Sequence, residues 1–145
     1  MESSELTIVI VTFHSEQKIV DCLKSIPNNI NIIVVENSND EKIKRKLESE
    51  YQNLRCILTG DNKGYSVANN IGLKNTNSKY ALVLNPDAVL GDKAIDNFLE
   101  RAKKNDDFWL IGPAKDQMVE LNPKEEGLIE VQNIKGFAMF INMAK

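Results

Sequence analysis

Apolar residues fall into short blocks along this chain, and the blocks alternate between two periods. The runs LTIVIVTF (6–13), INIIVV (30–35), LRCIL (54–58) and YALVL (80–84) are β-branched or large aliphatic and shorter than ordinary helices, so strands are predicted there. WLIGP (109–113) reads as a further strand. Between these runs the spacing lengthens to three and four. Ile19, Leu23 and Ile26 share one face of a helix over 16–26, and Ile43, Leu47 and Tyr51 one face over 40–51. Helices are also predicted over 65–74 and 92–104, the latter turning Ile95, Phe98, Leu99 and Ala102 inward. Strands apolar on both faces and separated by amphipathic helices predict an α/β fold, a mostly parallel sheet with helices on both faces. A chain of 145 residues is expected to form one domain, 1–145.

Charge and composition narrow the partners. Lys and Arg total 18 against 21 Asp and Glu, a formal charge of -3, with no basic stripe interleaved with aromatics, so nucleic acid is not an expected partner. The densest charge run, EKIKRKLESE (41–50), reads as the wet side of the second helix. No apolar segment approaches the ~20 residues that cross a bilayer. The amino terminus, MESSE, is acidic where a signal peptide would be basic, and a cytoplasmic location is expected. Cys22 and Cys56 have neither CxxC spacing nor a neighbouring histidine, so two reduced, semi-buried thiols are expected rather than a disulfide or zinc site. Phe108 and Trp109, at the start of the fifth strand, read as packing residues.

In parallel sheets, ligands bind beyond the carboxyl ends of the strands near a topological switch point. After the first strand come Thr12, Phe13, His14 and Ser15; after the second, Glu36-Asn37-Ser38-Asn39-Asp40; after the third, Thr59-Gly60-Asp61-Asn62-Lys63-Gly64; after the fourth, Asn85-Pro86-Asp87. These loops are small, polar and expected to converge on one rim. The Ser, Asn and Asp residues of the second loop also suit a turn and a helix N-cap. Glu36, directly after IIVV, is placed to accept hydrogen bonds from a pyrimidine or from ribose hydroxyls. The third loop opens a helix after a glycine-containing turn, and free backbone N–H groups with Lys63 beside them favour an anion, although most such turns are only turns. Asn-Pro-Asp interrupts the apolar run LVLNPDAVL, because a proline lacks the ladder donor and a carboxylate resists burial, so it marks a strand end. There Asp87 either caps backbone N–H groups or shares a divalent metal with phosphate oxygens, since magnesium commonly takes only one or two protein carboxylates.

Taken in order, TIVIVTFH, IIVVENSND, DNKGYSVANNIG and LVLNPDAVL resemble the family 2 glycosyltransferases with a GT-A fold, in particular a rhamnosyltransferase-like branch carrying N-P-D. The resemblance runs from about Leu6 to Ile141 and implies a Rossmann-like GT-A domain that binds a nucleoside-diphosphate sugar with Mg²⁺ or Mn²⁺. It implies nucleotide contacts at Thr12, His14, Glu36, Asn37, Asp61, Asn62, Gly64, Asn70 and Asn85, with Gly72 in the same N-x-G-x(5)-N-x-G segment. Asp87 matches the last acid of the D-x-D motif and is the implied metal ligand. Gly136, in IKGFAMFI, is implied to approach the donor or acceptor sugar. Asn85 replaces the first acid of D-x-D and Glu36 replaces the more usual Asp. The family inverts the anomeric carbon by direct displacement, a carboxylate base deprotonating the acceptor hydroxyl. That base follows the GFAMFI region, so it is expected beyond Lys145, and the chain is expected to lack the acceptor and catalytic-base portion. Glu125, Glu126 and Glu130 are read as solvated, not as the base.

The implied acceptor is a sugar, polysaccharide or lipid-linked hydroxyl, and a lipid-linked one would place the protein peripherally at the inner face of the membrane. The implied sugar leans toward a deoxysugar such as rhamnose on dTDP, with a UDP-sugar as alternative. A non-catalytic nucleotide-sugar-binding module is the competing reading. A phosphorelay receiver would need paired acids where Thr-Phe-His stands, and a sugar nucleotidyltransferase a glycine-rich basic loop after the first strand.

Overall fold

A computed structural model of the chain describes residues 5–113 and 136–145. The strands are β1 (Leu6–Thr12), β2 (Asn31–Glu36), β3 (Leu54–Leu58), β4 (Tyr80–Leu84), β5 (Leu110–Ile111) and β6 (Ala138–Asn142). The helices are α1 (Glu16–Lys24), α2 (Glu41–Glu50), α3 (Tyr65–Lys74) and α4 (Ala94–Lys104). The six strands form one sheet in the order β3-β2-β1-β4-β6-β5. β1 pairs in parallel with both β2 and β4, and β2 with β3, while β6 runs antiparallel to β4 and β5. The expected α/β fold with a mostly parallel sheet is therefore present.

Alternation along the strands divides the core in two. Ile8, Ile10, Ile32, Val34 and Leu82 face α1, α2 and α4, and pack with Ile19, Leu23, Ile43, Leu47, Ile95 and Ala102. Val9, Val11, Ile33, Val35 and Val83 face the other way and are covered by α3 through Ala68. α3 can lie close because of Gly72: a Cβ there would come within 2.3 Å of Val9 Cγ1 and 3.1 Å of Val35 Cγ2. The resemblance grouped Gly72 with the nucleotide segment; its contacts are those of a helix seated on the sheet.

Helix starts follow local chemistry. The Asp40 carboxylate accepts from the backbone N–H of Lys42 (2.9 Å) and Ile43 (3.1 Å), satisfying two donors that the first turn of α2 leaves free. Gly64, with φ 82°, precedes α3 in a conformation that a Cβ would strain.

Two expectations need correction. The fifth strand is shorter than 109–113, and Trp109, just before it, is 70% exposed rather than packed, because β5 is the sheet's edge. Phe108 does pack, stacking on Tyr80 at 6.1 Å between ring centroids. Glu125, Glu126 and Glu130 lie outside the described residues.

Candidate functional site

β2 and β3 extend the sheet from one side of β1, while β4 lies on the other, so the chain reverses its direction of strand addition at the β1/β4 boundary. An open cleft of ≈ 370 Å³ lies over the carboxyl ends there, lined by Thr12, Phe13, Ser15, Lys18, Asn37, Asn62, Tyr65, Asn85, Pro86 and Asp87. Loops after four separate strands supply most of these residues, with Lys18 from α1 and Tyr65 from the start of α3.

Asn37 joins two of the loops. Its side-chain amide donates to Asn62 Oδ1 (2.9 Å) and the Gly64 carbonyl (3.4 Å), and its oxygen accepts from Thr59 Oγ1 and the Lys63 N–H, both at 3.0 Å. Asn62 Oδ1 also accepts from the Gly64 N–H at 3.0 Å. The loop before α3 is thereby held in shape from β2. Lys63 is already paired with Asp61 at 2.5 Å, both of them exposed, so it is not a free cation for an anion here.

Glu36 lies beneath the rim. The sequence reading placed its carboxylate against a nucleoside, but it is 0% exposed and its oxygens are occupied: Oε2 accepts from Thr12 Oγ1 (2.6 Å), and Oε1 from Ser38 Oγ (2.6 Å) and the His14 N–H (3.4 Å). The extra methylene relative to Asp lets the carboxylate fold back onto its own loop and onto β1. The bond to the His14 N–H helps to hold that residue at φ 49°, a left-handed conformation unusual for a side-chain-bearing residue.

Asn85, Pro86 and Asp87 form a turn closed by the Ala88 N–H donating to the Asn85 carbonyl at 3.1 Å, with proline at the position that favours it. The same carbonyl accepts from the Cys22 thiol (3.6 Å), and the Asn85 N–H donates to the Phe137 carbonyl (2.9 Å). Burial, with the Asp87 charge second, pushes the Cys22 thiol up to about 12. Asp87 itself is exposed and makes no ion pair among the described residues. A polyhistidine, cysteine or multi-carboxylate metal cluster is not found among the described residues. The donor set fits a hard cation of low intrinsic affinity, since a single carboxylate beside neutral oxygens suits Mg²⁺ or Mn²⁺ only when phosphate completes the shell.

Of the residues expected at the site, Thr12, Asn37, Asn62, Asn85 and Asp87 line the cleft. His14, Asp61 and Gly64 lie in the same loops without lining it, and Asn70 is on the exposed side of α3. Sequence reasoning passed over Phe13, Lys18 and Tyr65. Phe13 (49% exposed) and Tyr65 (45% exposed) present aromatic surface at the cleft, and Lys18, early in α1, supplies a cation unpaired among the described residues. For Phe13 the available signal was a large apolar residue just past a strand end, where burial is no longer required.

Residues 7–141, nearly the whole chain, match the family Glycosyl transferase family 2. The chain belongs to this family. The teichoic acid poly(glycerol phosphate) polymerase of Staphylococcus epidermidis is 29% identical over 118 residues, covering 76% of this chain and 16% of the polymerase. The low-salt glycan biosynthesis hexosyltransferase Agl10 of Haloferax volcanii is 30% identical over 95 residues, covering 63% of this chain and 30% of Agl10. The chain thus spans less than a third of either curated relative.

Among solved structures, S. aureus TarS 1-349 superposes with a TM-score of 0.71 at 14% identity, covering 97% of this chain and 47% of TarS 1-349. The mannosyltransferase PcManGT from Pyrobaculum calidifontis, in complex with GDP-Man and Mn²⁺, gives 0.68 at 13% identity, covering 95% and 44%. At those identities the likeness is one of fold, and the fold is that of GT-A glycosyltransferases. No helix among the described residues is long and apolar enough to cross a membrane.

Proposed function

We propose that this family 2 domain binds a nucleoside-diphosphate sugar with Mg²⁺ or Mn²⁺ and serves as the donor half of an inverting glycosyltransferase. The observation that carries the reading is the convergence of four strand-end loops on one cleft holding a carboxylate, Asp87, and a cation, Lys18, neither of them ion-paired among the described residues. Phe13 offers the base a stacking surface. Thr12 borders the nucleoside, held from below by Glu36, while Asn62 and the loop preceding α3 shape the side nearest the sugar. Lys18 attracts the diphosphate, and Asp87 holds the cation that would neutralise the departing diphosphate. Two GT-A neighbours support this ligand class: S. aureus TarS 1-349 in complex with UDP-GlcNAc and PcManGT in complex with GDP-Man and Mn²⁺.

On the finer points, the N-P-D turn leads us to favour a deoxysugar on dTDP, with a UDP-sugar as the alternative. The acceptor is a sugar, polysaccharide or lipid-linked hydroxyl, and the protein acts on the cytoplasmic side, at the membrane when that acceptor is lipid-linked. No general base is assigned among the described residues.

Calorimetric titration with dTDP, UDP and GDP, each with and without Mn²⁺, tests the proposal. Metal-supported binding of any of the three is expected, and its rank order identifies the base. Absence of binding to all three would remove the donor-site reading. Binding without sugar transfer to any hydroxyl acceptor tried would favour the non-catalytic module.

A further inference from the structure

Asp87, assigned above to the cation, has no hydrogen bond or ion pair at its carboxylate among the described residues, so its place in the cleft is set through its backbone. That backbone rests on α1. At the entry to the turn the Cys22 thiol donates to the Asn85 carbonyl (3.6 Å), whose second lone pair takes the Ala88 N–H (3.1 Å). On the return leg the Leu90 N–H donates to Ser25 Oγ at 3.0 Å, and the one proton of that hydroxyl goes to the Cys22 carbonyl at 2.6 Å. Each donor and acceptor in this set thus has one consistent role. Of the N–H groups from Val89 to Lys93, only that of Leu90 has a partner among the described residues.

Cys22 and Ser25 are separated by about 4.5 Å of helix rise, whereas the backbone from Asn85 to Leu90 would span roughly 17 Å if extended. The segment between the two contacts therefore arches away from α1. Ala88 and Leu90 pack on the core beneath it, while Asp87 is exposed and Val89 is 65% exposed. Spacing along α1 adds a second observation. Ser15, the N-cap, then Lys18, Cys22 and Ser25, the C-cap, recur at three- and four-residue intervals and so share one face. The first two line the cleft, and the last two hold the turn. The Asp87 charge helps to push the Cys22 thiol up, which agrees with this seating.

We propose that Ser25 and Cys22 are positioning residues for the metal-binding turn: one face of α1 holds both ends of the 85–90 arch and thereby sets Asp87 relative to Lys18 on the same helix. The inference rests on the donor-site reading. Neither residue touches the ligand, and each acts through the backbone of the turn. A carboxylate without a side-chain partner meets a cation at low entropic cost only if its backbone is already in place, and the two bonds to α1 supply that order.

Ser25→Ala and Ser25→Thr in the full chain test this, because Ser25 is only half-buried and threonine keeps the hydroxyl. The probe is whichever of dTDP, UDP and GDP the parent binds best, titrated with Mn²⁺ and again in EDTA. Loss of one hydrogen bond predicts about fivefold weaker Mn²⁺-supported binding by Ser25→Ala, unchanged binding in EDTA, and parent-like values for Ser25→Thr. Unchanged Mn²⁺-supported binding by Ser25→Ala, or an equal loss in EDTA, would overturn the proposal.

Hydrogen exchange of the ligand-free chain reads the seat itself. The Leu90 amide is expected to be protected in the parent and to lose about tenfold of that protection in Ser25→Ala, with the amides of β1 and β4 unchanged. Exchange at Leu90 as fast as at Val89 in the parent would show that α1 does not hold the turn. If the parent binds none of the nucleotides, the donor-site reading fails by itself, and exchange at Leu90 still decides the contact with Ser25.

Discussion

Asp87 and Glu36 show how two carboxylates at strand ends take opposite fates. Asp87 follows a proline in an exposed turn and is free of ion pairs among the described residues, whereas Glu36 ends a strand and is fully buried by its own loop. Asp87→Asn is therefore expected to leave the thermal midpoint nearly unchanged and to abolish the Mn²⁺-dependent part of nucleotide binding. Calorimetry beside a melt checks this, and a substantial drop in the midpoint would reassign the side chain to backbone capping. Glu36→Ala removes the shared acceptor of Thr12, Ser38 and the His14 N–H. A loss of about 1–3 kcal/mol is expected in a denaturant titration, because buried hydroxyls then lack their partner. Nucleotide affinity should fall as well, through disorder of Thr12 and His14. Unchanged affinity across the three nucleotides would dissociate Glu36 from the site. Sequence placed both carboxylates on the rim, but a residue at a strand end can point outward or fold back, and only the hydroxyls of Thr12 and Ser38 decide which.

At the scale of elements, the apolar pattern was sufficient for the parallel core and poor at its edges. Runs such as IVIV and IIVV are buried on both faces, so no other placement satisfies them, and β1 to β4 agree closely with the blocks that predicted them. β5 shrank because an edge strand needs neither a full ladder nor a buried Trp109. The antiparallel direction of β6 had no local signature, since period-two burial is the same in either direction. Gly72 illustrates a residue legible in type but not in role. A mid-helix glycine ordinarily weakens a helix by about 0.5–1 kcal/mol relative to alanine. Gly72→Ala should nonetheless destabilise this protein by roughly 1–3 kcal/mol, because the added methyl meets the Val9 side chain and the helix must lift from the sheet. Chemical denaturation of Gly72→Ala measures the sign directly. A stabilised variant would mean that α3 can shift without cost and that the close approach is incidental.

For the molecule as a whole, the buried thiols report on cooperativity from two elements of one core cluster. Cys22 sits on α1 and Cys56 on β3, both within the larger apolar cluster, and burial is the first cause that raises each to about 12 from the ordinary 9.0. The Asp87 charge adds to the effect at Cys22, and those of Glu48 and Glu36 at Cys56. At pH 8 both thiols are protonated and enclosed, so a thiol reagent should react only as fast as the core opens, and equally at the two positions if the domain unfolds as one unit. The linkage has a definite sign. Between pH 9.0 and about 12 the unfolded chain gives up thiol protons that the folded chain keeps, so stability present below this window declines as pH rises through it. Other groups titrate there too, which makes the comparison between parent and Cys22→Ala/Cys56→Ala the informative one. The double variant starts lower, having lost buried volume, but its stability should fall less steeply across that range. Parallel curves for the two proteins would show that the thiols ionise as readily in the folded state as in the unfolded one, which is incompatible with their burial in a closed core.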